Sequence, residues 1–151
     1  MKLTGDRLIP RERSLVWGKL NDPEILRQAI PGCDTLVRSG PDEFQIEMVA
    51  AVGPVRAKFK ARLVLSDIQP PVSYLLTFTG NGGVAGFGNG TAQVRLEEEG
   101  DATRLHYTVG AQVGGKIAQI GARLVQGVAE KLAEKFFGNF VKLLEVPEVP
   151  A

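Results

Sequence analysis

The chain has 151 residues, of which 44% are hydrophobic and 23% are charged, with 18 basic side chains against 17 acidic ones. This length and composition are typical of one globular domain with a single core. The net charge of +1 provides no global field that would recruit nucleic acid or an anionic membrane. The longest apolar runs are only a few residues long, so we expect no segment that spans a bilayer.

The first 32 residues predict a strand and two short helices. Residues 1–10 alternate weakly and predict a strand that ends at Pro10, and residues 11–20 predict a short helix. The next helix has a strong start signal, because Asp22 can cap it and Pro23 suits its first position. Pro31 and Gly32 then stop this helix.

From about residue 33 to residue 113 the hydrophobic period is two. The segment from Val55 to Leu65 alternates apolar residues with Arg56, Lys58, Lys60 and Arg62, which predicts an antiparallel strand with one face in water. The segments around residues 44–52, 74–78 and 105–111 alternate in the same way. Turns are predicted at 53–54, 69–71 and 99–101, where Gly, Pro and Asp cluster.

The last part of the chain changes to the period of a helix. Apolar residues between Ile117 and Leu132 follow helical spacing, so we predict one long helix over residues 115–144. Gly121 lies in the middle of the apolar stripe, where glycine costs about 1 kcal/mol relative to alanine. We interpret this position as one where room is needed. The domain is expected to cover residues 1–145, with a short Pro-rich tail at 146–151.

A glycine-rich stretch at residues 79–92 has three competing interpretations: a dinucleotide-binding turn, a flexible linker and a β-hairpin with unusually small side chains. Gly80, Gly82 and Ala85 satisfy the spacing of a dinucleotide-binding turn, which requires a following helix. Residues 91–99 alternate instead and predict a strand, so we expect no nucleotide site. On that strand Gly86, Gly88 and Gly90 would face inward, which indicates a strongly curved sheet, a hollow for a ligand, or both.

Few residues suggest catalysis or metal binding. His106 is predicted to face outward, and one histidine with one cysteine, Cys33, is too few for a His/Cys metal site. Cys33 cannot form an internal disulfide, and the start of the chain has no signal-peptide pattern, so we expect the reducing cytosol. The basic stripe from Arg56 to Arg62 has no interleaved aromatic residues, so nucleic acid is not expected as a partner. We expect no metal and no cofactor.

The predicted order of elements resembles the α+β helix-grip fold of the START/Bet v 1-like superfamily, in which a curved antiparallel sheet of about seven strands wraps a long C-terminal helix. Within it the chain resembles the CoxG family of carbon monoxide dehydrogenase subunits. Four segments carry this resemblance: residues 21–34, 53–63, 86–92 and 114–137. Many members are expected to have an acidic residue at the position of Cys33. Some continue into a linker and a membrane anchor, whereas this sequence stops at Ala151, so we expect no direct membrane insertion.

The resemblance implies an accessory role beside a molybdenum-containing carbon monoxide dehydrogenase or a related hydroxylase, not catalysis. The superfamily implies a hydrophobic cavity for an apolar molecule, with a lipid or a quinone as the hypothesis. Two alternatives stay open: a polyketide cyclase-like enzyme, and an assembly factor with a filled core. A homodimer and a peripheral contact at the inner face of the membrane are also left open. The expected ligand-binding residues are Trp17, Ile30, Phe44, Met48, Phe59, Phe78, Phe87, Tyr107, Ile117, Ile120, Gly121 and Leu124.

Overall fold

A computed structural model of the chain describes residues 1–145 and has one antiparallel sheet of seven strands. The predicted tail at 146–151 lies outside the described residues. The strands are β1 (Lys2–Ile9), β2 (Cys33–Gly40), β3 (Glu43–Val52), β4 (Val55–Gln69), β5 (Ser73–Asn81), β6 (Phe87–Glu99) and β7 (Ala102–Gly114). Their order across the sheet is β1-β7-β6-β5-β4-β3-β2, so only β1 pairs with a strand distant in the chain.

Four helices accompany the sheet: α1 (Arg13–Leu20), α2 (Pro23–Ala29), α3 (Lys116–Gln119) and α4 (Ala122–Glu145). Helix α2 begins as predicted, since the Asp22 side chain accepts a hydrogen bond of 3.0 Å from the backbone N–H of Glu24 and Pro23 occupies the first turn. A 3₁₀ turn at Gly83–Ala85 joins β5 to β6. No helix among residues 1–145 combines the length and the hydropathy that crossing a bilayer requires.

The prediction of one uninterrupted helix over residues 115–144 is wrong. The helical segment is divided at Gly121, which has a φ of 105° and separates α3 from α4. Residues with a side chain rarely adopt this φ, and glycine adopts it readily because it has no Cβ. Gly121 is therefore needed for the bend between two helices, and the cost of a glycine inside a helix does not apply to it.

The sheet curves around α4, which contacts β1 on one side and β3 on the other. The second half of α4 is the better packed half, because Phe140 and Leu144 are fully buried while Leu124 near its start is 44% exposed. The Asn139 side chain donates a hydrogen bond of 3.1 Å to the carbonyl of Ala29, and this bond ties α4 to α2. The core thus lies between the inner face of the sheet, α1 and α2, and the second half of α4.

Strand alternation follows the predicted faces. Along β6 the residues Ala92, Val94 and Leu96 are buried, and Gly86, Gly88 and Gly90 continue the same inward face toward its start. The glycine-rich stretch is followed by this strand and not by an α-helix. Because a dinucleotide turn presents helix N-terminal N–H groups to the pyrophosphate, the prediction that this stretch is no such turn is confirmed.

Candidate functional site

An apolar cavity of about 170 Å³ lies between the inner face of the sheet and the second half of α4. Its walls come from both short helices, α1 and α2, from the inner face of the sheet and from one turn of α4. The lining residues are Leu20, Leu26, Ile30, Phe44, Leu63, Leu65, Tyr74, Leu76, Val94, Leu105, Phe136 and Phe137.

Aromatic side chains on α4 hold the helix over this cavity. The rings of Phe136 and Phe140 stack with centroids 5.9 Å apart, one helical turn from each other, and Phe137 stacks on Tyr107 of β7 at 5.2 Å. Phe136 and Phe137 also meet edge to face at 5.1 Å. Aromatic pairs at these distances add stability beyond the area that they bury. The cluster therefore fixes the spacing between helix and sheet at the cavity.

Tyr74 is the only residue in the cavity lining with a polar side chain. Burial raises the pKa of the Tyr74 hydroxyl far above its ordinary value, because the phenolate would lose its hydration. The hydroxyl therefore stays protonated at neutral pH and is able to donate a hydrogen bond. Trp17, the only tryptophan of the chain, packs edge-on against the Tyr74 ring with centroids 5.4 Å apart.

The structure separates the predicted ligand-binding residues into groups. Only Ile30 and Phe44 line the cavity. Trp17, Met48 and Tyr107 pack against the core around it. Phe87 is 48% exposed and lies on the outer face of the sheet, so its expected inward orientation is wrong. The remaining six lie toward the other end of α4 and outside the cavity lining: Phe59, Phe78, Ile117, Ile120, Gly121 and Leu124.

The residues of α4 that cover the cavity were not among the predicted ones. The predicted contact of this helix with a ligand lies at residues 117–124, whereas Phe136 and Phe137 line the cavity 12 or more residues later. The sequence holds a signal for them, since Phe136, Phe140 and Leu144 recur at intervals of four. Of the other unpredicted wall residues, Leu20 and Leu26 lie on α1 and α2, and the rest, Tyr74 among them, lie on strand faces that alternation marks as inward.

Neighbouring atoms occupy the space beside several inward glycines. A Cβ at Gly90 would lie 2.9 Å from the Phe78 ring and would overlap the backbone carbonyl of Gly110. A Cβ at Gly82 would lie 2.7 Å from Cδ1 of Phe59, and one at Gly5 would lie 2.7 Å from the Tyr107 ring. Aromatic rings that cover glycines on neighbouring strands stabilise curved sheets. At these positions the glycines serve close packing.

The single histidine and the single cysteine both lie outside the cavity lining. His106 faces outward on β7, with its Nε2 atom 3.6 Å from the Glu97 carboxylate. The Cys33 thiol donates a weak hydrogen bond of 3.4 Å to the carbonyl of Thr35, and burial raises its pKa, which disfavours the reactive thiolate. Among residues 1–145, no cluster of three or more His, Cys, Asp or Glu side chains is arranged to hold a metal ion.

The sequence over most of this fold matches one family model. The model of CoxG, a subunit of carbon monoxide dehydrogenase, covers residues 5–144, which include every element that forms the cavity. The chain belongs to the CoxG family. Its cavity is thus built from the part of the chain that defines this family. Among curated proteins, no sequence matches the chain significantly.

Solved structures share the architecture of this CoxG family member. A conserved protein from Geobacillus kaustophilus is 36% identical, with a TM-score of 0.88 over 94% of this chain and 93% of that one. A START superfamily protein from Mycobacterium smegmatis is 10% identical, with a TM-score of 0.74 over 95% and 97%. The Zhui aromatase/cyclase from Streptomyces sp. R1128 is 12% identical, with a TM-score of 0.65 over 96% and 93%. The last two likenesses show a shared fold, and this confirms the predicted START-like helix grip.

Proposed function

We propose that this chain is a non-catalytic accessory protein that binds an apolar, lipid-like or quinone-like molecule beside a molybdenum-containing carbon monoxide dehydrogenase or related hydroxylase. The observation that carries the proposal is the apolar cavity under α4, in which Tyr74 is the only polar side chain. A pocket of apolar walls with one placed polar group suits an apolar ligand that must be held in one orientation. The family name, a subunit of carbon monoxide dehydrogenase, supports the proposal of a redox enzyme as the partner.

The size of the cavity limits which part of a ligand it holds. Its volume is about 170 Å³, and an engineered apolar cavity of about 150 Å³ binds benzene. A single ring or a short aliphatic segment therefore fits without rearrangement. For a quinone, the head group is the part that fits, and the Tyr74 hydroxyl would donate a hydrogen bond to its carbonyl. Contacts of Ile30 and Phe44 with such a ligand remain predictions.

A cyclase-like activity has weaker support from the cavity. General acid–base catalysis needs a side chain whose pKa lies near the operating pH. Tyr74 is the only titratable residue among those that line the cavity, and its pKa is shifted away from neutrality. The lining thus suits a binding site better than a site of proton transfer, and the likeness to an aromatase/cyclase supports the fold alone.

Trp17 gives a direct test of binding, because it contacts Tyr74 at the cavity wall and no other tryptophan is present. We expect duroquinone, a single substituted ring, to quench Trp17 fluorescence in a saturable manner. Val94→Phe should fill the cavity and abolish the saturable quenching. Gln93→Phe is the matched control, since Gln93 is exposed on the opposite face of the same strand. Duroquinone should quench the Trp17 fluorescence of this variant as it does in the wild type.

The stability of Val94→Phe separates binding from the filled-core alternative. If the cavity is open, the new ring occupies existing space and the free energy of unfolding changes little. If the core is filled, the ring overpacks it and costs typically about 1–3 kcal/mol. Loss of stability with no saturable quenching of the wild type would refute the binding proposal and favour an assembly factor. Native mass spectrometry of protein purified from its own host would identify any apolar molecule that it carries.

A further inference from the structure

The turn between α2 and β2 has an open pocket on its outer side, apart from the apolar cavity. This pocket has a volume of about 710 Å³ and is lined by residues 27–34, except Ala29, and by Val49, Arg56 and Asn139. We call it the outer pocket. Within residues 1–145, Ile30 alone lines both the outer pocket and the cavity. Because Ile30 is partly exposed, one side chain separates the two spaces at this point.

Hydrogen bonds hold the backbone on both sides of Ile30. The Asn139 side chain donates to the carbonyl of Ala29 at 3.1 Å, and the backbone N–H of Val49 donates to the carbonyl of Gly32 at 2.9 Å. Ile30 has the extended backbone (φ −75°, ψ 118°) that a following proline favours. The Ile30 side chain is therefore the part of this wall that can move between rotamers while the backbone stays in place.

Arg56 leaves the outer pocket with one positive charge that the protein does not compensate. The other two ionised side chains of the lining have partners: Arg27 lies 2.6 Å from the Glu24 carboxylate, and Asp34 lies 3.9 Å from Nζ of Lys58. Arg56 is exposed and forms no ion pair within residues 1–145. An anion is therefore the ligand that the charge of this pocket favours.

Two side-chain amides add neutral donors to the same pocket. Gln28 donates from Nε2 to the Glu24 carboxylate at 3.2 Å, and Asn139 donates from Nδ2 to the Ala29 carbonyl. An amide nitrogen carries two N–H groups, and within residues 1–145 the second one of each amide has no acceptor. The outer pocket thus combines a guanidinium with free N–H donors, which together suit a carboxylate.

We propose that the outer pocket binds the carboxylate of a single-chain amphiphile, whose apolar part passes Ile30 and occupies the cavity. The inference rests on the proposed function, since it names the class of molecule that the cavity holds. The Arg56 guanidinium can bind both carboxylate oxygens at once. The cavity of about 170 Å³ has the size that admits one short chain and excludes the two acyl chains of a phospholipid. A neutral ring would leave Arg56 and the amides without a role.

Isothermal titration calorimetry with octanoate and octanamide tests this pocket, since the two probes have the same chain and differ in charge. We expect octanoate to bind about tenfold more tightly, because a hydrogen bond gains strength when one partner is charged. Arg56→Gln should abolish this difference by weakening octanoate alone. Val94→Phe, which fills the cavity, should weaken both probes, and acetate, which has no chain, should not bind detectably.

Arg123→Gln is the matched control, because it removes the same charge from an exposed arginine outside the outer pocket and should keep the preference for octanoate. Arg56→Gln should also leave the saturable quenching of Trp17 by duroquinone unchanged, since a neutral ring needs no cation. Octyl phosphate tests the other kind of anionic end. A phosphate monoester carries a charge of about −1.5 to −2 at neutral pH, which one cation compensates only in part, so it should bind no more tightly than octanoate.

Three results would overturn this inference and leave the proposed function standing, provided that duroquinone still quenches Trp17. The first is equal affinity of the wild type for octanoate and octanamide. The second is an equal loss of octanoate binding in the two arginine variants, which would mean that net charge and not the outer pocket controls it. The third is octanoate binding that survives Val94→Phe, which would separate the outer pocket from the cavity.

Two other results have different consequences. Tighter, Arg56-dependent binding of octyl phosphate would overturn the carboxylate and assign the outer pocket to a phosphate end. A wild type that binds neither duroquinone nor the two chain probes would refute the proposed function, and this inference with it.

Discussion

Gly90→Ala tests whether the glycine-rich start of β6 exists for close packing or for a ligand. The new methyl group would overlap the carbonyl oxygen of Gly110 and would approach the Cα of Ala111 to 2.8 Å and the Phe78 ring to 2.9 Å. Two of these three atoms belong to the backbone of β7, which is held by its ladder on both sides. The crowding therefore cannot be relieved by a change of one side-chain rotamer.

The expected cost follows from that geometry. Overpacking in a well-packed interior costs typically about 1–3 kcal/mol, and contacts with fixed backbone favour the upper part of that range. For a chain of this size, each kcal/mol lowers the melting temperature by roughly 2–4 °C, so we expect a fall of roughly 2–12 °C. Replacing Phe78 by leucine in the same protein should restore little, because the closest contact is with the Gly110 carbonyl.

Urea unfolding and calorimetry of Gly90→Ala and Gly110→Ala provide the measurement. Gly110 is the matched control, since a Cβ there would meet no atom within 4 Å. Alanine at that position should be neutral or should stabilise by about 0.4–1 kcal/mol, because it restricts the unfolded chain. A tolerated Gly90→Ala, or equal destabilisation by both substitutions, would refute the close-packing explanation and revive the ligand explanation.

Two further predictions concern the α3–α4 junction and acid stability. Gly121→Ala should lower the free energy of unfolding by about 1–3 kcal/mol, because a residue with a side chain is strained at a φ of 105°. Gly127→Ala, within α4, is the control and should raise the free energy of unfolding by roughly 0.5–1 kcal/mol. Equal effects of the two substitutions in thermal melts would contradict the bend assigned to Gly121. Hydrogen bonds from Ser39 and Arg62 lower the pKa of Glu43, so its stabilising effect is complete above the unfolded pKa and is lost as pH falls through the lower folded pKa. In urea titrations, Glu43→Gln should therefore lose less stability than the wild type on acidification below about pH 4.5. Parallel plots of unfolding free energy against pH for the two proteins would show that the Glu43–Arg62 ion pair adds no stability.

Much of the fold could be predicted because its signals are local. Alternation along β4 and β6 fixes which side chains face inward, and the Asp22-Pro23 pair marks the start of α2. Alternation counted back from Val94 marks Phe87 as outward, so its expected inward orientation went against the pattern; in the structure its ring lies against Gly114 on the outer side. Periodicity alone also did not predict the helix break at Gly121, because the apolar stripe continues through it although the backbone turns.

The sequence by itself determined the strands with most of their inward faces, the two short helices after β1 and the family, because these signals lie in residues close together in the chain. The tertiary structure alone decided where the cavity lies, because its walls combine Leu20 and Phe44 with Phe137, more than 90 residues away. The physical reason is that an enclosed volume depends on distances through space, which hydrophobic periodicity along the chain does not encode.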